Sequence, residues 1–150
     1  YIFDIAQKKV THKLLVAHGK NTGGNYATQF SNKRGSLQSS PGFYRTGNTY
    51  QGKHGYSLRL YGLEKGLNDK AYERAIVVHG APYVSADFIK KHKRLGRSFG
   101  CPAFQPRDGR FIMNEIKGGS LYYSYTPIAG CKEDYDKVLK TVPGWETKCE

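Results

Sequence analysis

The feature that most restricts the fold is the run Ala75-Ile76-Val77-Val78, which ends in His79-Gly80. A continuous apolar stretch of this length suits a strand covered on both faces, not one with a wet side. Helical periodicity is scarce around it, so we expect a mainly β fold with a few short helices on a mixed, sandwich-like sheet. The 150 residues are enough to bury roughly 70% of the unfolded surface around one core. Residues 1–150 are therefore read as a single domain.

Along the chain, Tyr1 to Ile5 and Lys13 to Ala17 flank the polar stretch Ala6-Gln7-Lys8-Lys9, the pattern of a β-hairpin. From Gly19 to Gly55 the sequence is rich in Gly, Asn, Ser, Thr and Tyr, as expected of short strands joined by long loops. Tyr56-Ser57-Leu58-Arg59-Leu60 alternates like a half-buried strand. Ser85 is placed to cap a helix through Lys91, with Phe88 and Ile89 inward, Lys90, Lys91, Lys93 and Arg94 in water, and Gly96 as exit turn. Asp108 to Lys117 carries Phe111, Ile112, Glu115 and Ile116 at helical spacing, and Gly118-Gly119 suits a left-handed cap. Ser120 to Thr126 then reads as a Tyr-rich strand, and Glu133 to Lys140 as one or two helical turns.

Lys and Arg number 24 against 12 Asp and Glu, giving a formal charge of +12. Such a field attracts polyanions, among them nucleic acid, anionic lipid headgroups and a cell-wall polymer with free carboxylates. A hydrophobic share of 38% argues against a disordered chain. No stretch reaches the roughly 20 apolar residues of a bilayer span, so no stable membrane insertion is expected. Since Tyr1 to Ile5 already reads as a strand, the numbering is expected to start inside a mature domain, after a cleaved leader.

Of the three cysteines, Cys131 and Cys149 are the natural pair, because both lie in the polar tail at about residues 130–150. A bridge there would contribute about 3 kcal/mol and would need an oxidising compartment. The other reading is three reduced thiols in a cytosolic protein. On the first reading Cys101 is left over.

Two segments carry candidate chemistry: His79-Gly80 and Arg97-Ser98-Phe99-Gly100-Cys101-Pro102-Ala103. The 22 residues from His79 to Cys101 allow a strand, a helix and a return, which would let imidazole and thiol share a hydrogen bond. A free thiol is mostly protonated at neutral pH and only the thiolate attacks well, so a base beside it would supply the activation. Taken singly, a Cys is more often a small buried hydrophobe and a His a satisfied core group. The context shifts that balance, because Gly100 permits close backbone approach and Pro102 holds Cys101 extended, which a structural thiol does not require. Since Pro102 has no N–H, an oxyanion hole would draw on the amides of Gly100 and Cys101.

These segments resemble the L,D-transpeptidase catalytic domain, whose signature is a His-Gly segment followed by Ser-His-Gly-Cys. The murein L,D-transpeptidase branch, with Gly-Cys-Pro-Ala, is closer still. The resemblance extends from about Leu14 to Tyr125 and takes in Gly52-Lys53-His54-Gly55-Tyr56-Ser57-Leu58-Arg59-Leu60, Asn68-Asp69 and Arg94-Leu95-Gly96-Arg97. It departs at Phe99, where most of the family has a second histidine. The resemblance implies Cys101 as nucleophile, His79 as base, the Gly80 carbonyl holding the ring, and Ser98 tuning the thiol. It further implies attack on a peptidoglycan tetrapeptide stem, a thioester intermediate, and a 3–3 cross-link when an amine of a second stem resolves it. Water in that role would give a carboxypeptidase or endopeptidase.

His54 is the competing base, though the strand before His79 offers more rigid support. Arg59, Arg94 and Arg97 are candidates to bind stem carboxylates, Phe99 to stack on substrate, and Tyr50, Tyr56 and Tyr83 to flank a cleft. His12, His18 and His92 have no partners at ligand spacing, so neither metal nor other cofactor is expected. The expected partner is the stem peptide, acted on by a monomer in the periplasm or another extracytoplasmic part of a bacterial envelope. The competing class is a basic, non-catalytic module for nucleic acid or glycan, motivated by the charge and the twelve tyrosines. It lacks any recognised nucleic-acid motif, so nucleic acid is not the expected partner.

Overall fold

The structure is a computed structural model and describes residues 1–126. The Cys131–Cys149 pairing and the helical turns at Glu133 to Lys140 lie outside the described residues. The chain opens with a hairpin of β1 (Ile2–Asp4) and β2 (Lys9–His12). The second strand comes earlier than the expected Lys13 to Ala17, because the turn is tighter: Gln7 N–H donates to Asp4 Oδ1 at 2.9 Å, and Lys8 takes a left-handed φ of 52°. Ala17 instead makes an isolated bridge to Ala103, with N–H to O distances of 2.9 and 3.2 Å.

The main sheet is mixed and has five strands, in the order β6-β5-β4-β3-β7. In place of several short strands, the 19–55 region supplies one long strand, β3 (Gly42–Gly52), paired antiparallel with β4 (Gly55–Gly62). Gly52 lies opposite Gly55, so Lys53 and His54 form the tip of this hairpin, and Gly55 takes a φ of 77° that favours glycine. The apolar run becomes β5 (Val77–Gly80), with Val77, Val78 and His79 all buried. It starts two residues later than its hydrophobicity suggests, because Ala75 adopts a left-handed φ of 55°.

After β5 the chain leaves the sheet through α1 (Ala86–His92). Ser85 Oγ accepts from Phe88 N–H at 3.2 Å, a cap that typically stabilises by about 1 kcal/mol. The chain returns as β6 (Ala103–Phe104), two residues that pair parallel to β5 and that nothing in the residue pattern announced. α2 (Pro106–Ile116) begins on a proline and buries Ile112 and Met113 against the sheet. Phe111 is 60% exposed and Glu115 is also on the outside. Both meet His12 of the hairpin, with ring centroids 5.7 Å apart and His12 Nδ1 3.3 Å from the Glu115 carboxylate. Gly118 and Gly119 take the expected positive φ, and β7 (Leu121–Ser124) completes the sheet.

The core gathers Tyr44, Leu58, Leu60, Ile76, Val78, Phe104, Ile112 and Met113 around β5, and Cys101 belongs to the same cluster. Truncating Ile112 or Met113 to alanine would cost about 2–5 kcal/mol. The expectation of a mainly β fold with short helices thus holds, and the site residues sit where core, strand end and loops meet.

Candidate active site

His79 occupies the third position of β5 and is 4% exposed. Its Nδ1 lies 3.0 Å from Gly80 O. A carbonyl only accepts, so Nδ1 carries the proton and Nε2 keeps its lone pair. Burial first, and the nearby His54 in addition, hold the imidazole below its ordinary pKa, while the Gly80 bond acts the other way. The ring is therefore neutral at neutral pH. The β3–β4 hairpin tip lays His54 over it, with centroids 4.7 Å apart and planes 23° from parallel. The two imidazoles proposed as alternatives are thus neighbours.

Cys101 lies on the adjacent segment. His79 is opposite Ala103 in the parallel β5–β6 register, and His79 N–H reaches Pro102 O at 3.4 Å, so the thiol-bearing residue is two positions upstream of the imidazole's partner. Among the described residues no hydrogen bond joins the two side chains. The thiol instead points to the Ala75 carbonyl, 3.8 Å away. Burial pushes it above the usual thiol range, opposed by the Val77 N–H and by the charge of Arg74. An imidazole holding a thiolate is not the state seen here.

The turn carrying Cys101 is gripped on several sides. Ser98 Oγ donates to Cys101 O at 2.5 Å and accepts from Gly100 N–H at 3.1 Å. Ser98 therefore fixes the backbone of the turn, with no hydrogen bond to sulfur among the described residues, and the Gly100 amide, an expected oxyanion donor, is already engaged. Gly100 has a φ of 119°, and a Cβ there would come 2.8 Å from Gln38 O. A Cβ on Gly19 would come 2.9 Å from Gly100 Cα. Ser39 Oγ donates to Gly100 O at 3.1 Å.

Two clefts open beside these residues. One, of about 160 Å³, is lined by His54, Tyr56, Gly80, Pro106, Arg110 and Met113. The other, of about 340 Å³, is lined by Lys20, Tyr83, Phe88, Arg94, Gly96 and Arg97. In the second, Arg97 Nε is buried with no hydrogen-bond partner among the described residues. Phe99 projects beside it, 68% exposed, with Lys20 Nζ 5.6 Å from its ring centroid. Arg94 is partly used by the Leu95 carbonyl, 2.9 Å away.

Arg59 goes elsewhere: its guanidinium lies over the rings of Tyr50 and Tyr72, at 4.3 and 5.4 Å. Tyr50 is thereby accounted for as well. Asn68 and Asp69 are architectural: Asn68, fully buried, donates to Pro41 O and Phe43 O, and Asp69 accepts from Asn32 and from Gly66 N–H. Sequence reasoning missed Ala75, whose carbonyl faces the thiol, Gly19, Gln38 and Ser39, which meet the neighbouring Gly100, and Arg74, which bonds Gln38. Among the described residues no group of three or more His, Cys, Asp or Glu side chains is arranged to hold a metal ion, and no helix is long and apolar enough to cross a membrane.

No curated protein and no solved structure matches the chain. Residues 1–125 match the family described as the L,D-transpeptidase catalytic domain. With a mainly β sheet, a buried strand ending in His79-Gly80 and a Ser98-to-Ala103 segment laid against it, this chain belongs to the L,D-transpeptidase catalytic domain family.

Proposed function

We propose that this domain is a cysteine acyl-transferase acting on peptidoglycan tetrapeptide stems in the bacterial envelope, with Cys101 as nucleophile and His79 as base. The observation that carries the reading is the β5–β6 register, which seats a neutral, Nδ1-protonated imidazole beside the Cys101-Pro102-Ala103 segment. For reaction the Cys101 side chain turns from Ala75 O toward His79 Nε2, which takes the thiol proton. Sulfur then attacks the carbonyl at the L-centre of diaminopimelate. An S–C bond forms, the C–N bond to D-alanine breaks, and the imidazolium returns its proton to the departing amine. A side-chain amine of a second stem attacks the thioester, releases Cys101 and leaves a 3–3 cross-link.

Charge and shape support the substrate class. The cleft containing Arg97 has three cations and two aromatic rings in its lining. The unpartnered Arg97 Nε suits a stem carboxylate, since a buried donor without an acceptor costs about 1–3 kcal/mol. The backbone amide of Cys101 is the oxyanion donor on this reading.

Incubation with purified muropeptides followed by mass analysis tests the proposal. A dimer lighter than two tetrapeptide monomers by one D-alanine supports transfer. Tripeptide monomers alone would assign hydrolysis to the same thiol. No Cys101-dependent product of either kind would overturn the reading.

A further inference from the structure

The nucleophile proposed above has a cationic neighbour that the reaction scheme does not use. Arg74 immediately precedes Ala75, whose carbonyl faces the thiol. Its Nη1 donates to Ser31 O at 2.8 Å and to Ser40 Oγ at 2.5 Å. Its Nη2 donates to Gln38 O at 2.6 Å and to Ser36 Oγ at 3.3 Å. All of these acceptors are neutral and belong to the 31–40 loop. Among the described residues no carboxylate lies within ion-pair distance of Arg74. A half-buried guanidinium therefore keeps its charge unneutralised at this place.

The loop it holds is the one that presses on the cysteine turn. Gln38 O, the acceptor of Arg74 Nη2, is the atom that leaves no room for a side chain at Gly100, and the adjacent Ser39 Oγ bonds Gly100 O. One residue thus braces both walls around the sulfur, the Ala75 carbonyl through the chain and the Gly100 turn through the loop.

We infer that Arg74 is a positioning residue of the Cys101 site, clamping the 31–40 loop against the Gly100–Cys101 turn and setting a positive charge beside the sulfur that favours the thiolate. This rests on the reading of Cys101 as nucleophile. Tyr83, beyond β5, also faces the sulfur and is held above the usual tyrosine range by burial, while the His79 imidazole on β5 is held below its ordinary value, also by burial. On the far side of Arg74, Tyr44 is pushed up to about 12 by burial, and Glu64, which faces Tyr44, accepts from Phe43 N–H at 2.6 Å. The Arg74 charge opposes the burial that raises the thiol.

The test is the pH profile of Cys101 alkylation by iodoacetamide, read by peptide mass mapping so that Cys131 and Cys149 are scored separately. It compares the unmodified protein with Arg74→Gln and Arg74→Lys. Removing a nearby opposite charge raises the midpoint in Arg74→Gln by about one unit, so roughly tenfold less thiolate is available below it. Arg74→Lys keeps the charge but loses the fork of hydrogen bonds, and its midpoint stays within about a third of a unit of the parent. A folded Arg74→Gln with an unchanged midpoint, or Arg74→Lys moving as far as Arg74→Gln, would overturn the inference. Where Arg74→Gln does not fold, Arg74→Lys decides alone, and a shift of a full unit in it is the overturning result. Alkylation needs no peptidoglycan, so a normal Arg74 effect without muropeptide products sinks the acyl-transfer reading and leaves this one standing.

Discussion

The two halves of the site are held by different means. His79 sits inside a regular strand, with β4 on one side, β6 on the other, the Gly80 carbonyl bonded to its ring and His54 stacked on it. Cys101 sits in an irregular turn, gripped by Gly19, by Gln38 and Ser39, by Ser98 and by the carbonyl of Ala75. A strand residue gets its place from the ladder and from burial, which many sequences satisfy. A turn residue of this kind gets its place from close backbone approach, which only particular small residues allow. The imidazole half should therefore fail mainly in chemistry when altered, and the thiol half in both chemistry and structure.

The largest effect tests the thiol alone. Cys101→Ala removes the proposed nucleophile and adds no bulk, so muropeptide products fall to the detection floor while circular dichroism is unchanged, and intact mass measurement shows no carbapenem adduct. A variant that keeps its turnover would break the comparison outright. Next, His79→Gln removes the proposed base while leaving β5 in place, and kcat falls by about 10²–10⁴-fold. A loss of stability as large as that of a core truncation would mean that the strand depends on the ring. Gly100→Ala places a Cβ against Gln38 O at a φ of 119°. The cost is about 1–3 kcal/mol in urea denaturation, with activity lost in parallel.

The smallest effect is a pH dependence. The folded imidazole of His79 has its pKa below the ordinary 6.5, so between those two values the folded state binds fewer protons than the unfolded one. Stability then rises with pH across that window, and the contribution present above about 6.5 is lost as pH falls through the folded pKa. Denaturation midpoints at pH 7 and pH 5 measure this, and His79→Gln flattens the difference. A slope unchanged in that variant would assign the acid sensitivity to other groups.

What could be read from the residues follows the same division. The β5 run, the alternation of β4 and the Ser85 cap are local patterns, and each appeared close to where the sequence places it. The second hairpin strand was misplaced because Asp4 and Lys8 close a turn tighter than the hydrophobic spacing implies. The helical spacing named Phe111, Ile112, Glu115 and Ile116 but not Met113, which joins Ile112 in the core while Phe111 packs on His12. β6 has only two residues, too few for any periodicity. In the site, His79 and the Ser98-to-Ala103 motif were legible as residue types. The ring of contacts around the Gly100–Cys101 turn was not, since its members are up to 81 residues away in the chain, as Gly19 is from Gly100. Arg74 in particular reads as an ordinary charged residue ahead of a strand.

The parallel pairing of β5 with β6 has a consequence for how such a domain can diversify. The chain departs from one strand end and comes back beside the same strand, so the excursion from Ala81 to Gly100, with α1 in it, is anchored at both feet by the sheet. Its middle supplies Tyr83, Phe88, Arg94 and Arg97 to one cleft, while His79 and Cys101, the proposed reacting groups, flank it on either side. That arrangement works as an exchangeable cassette: the span can be lengthened, shortened or recharged, and what is admitted to the cleft changes, while imidazole and sulfur stay in register.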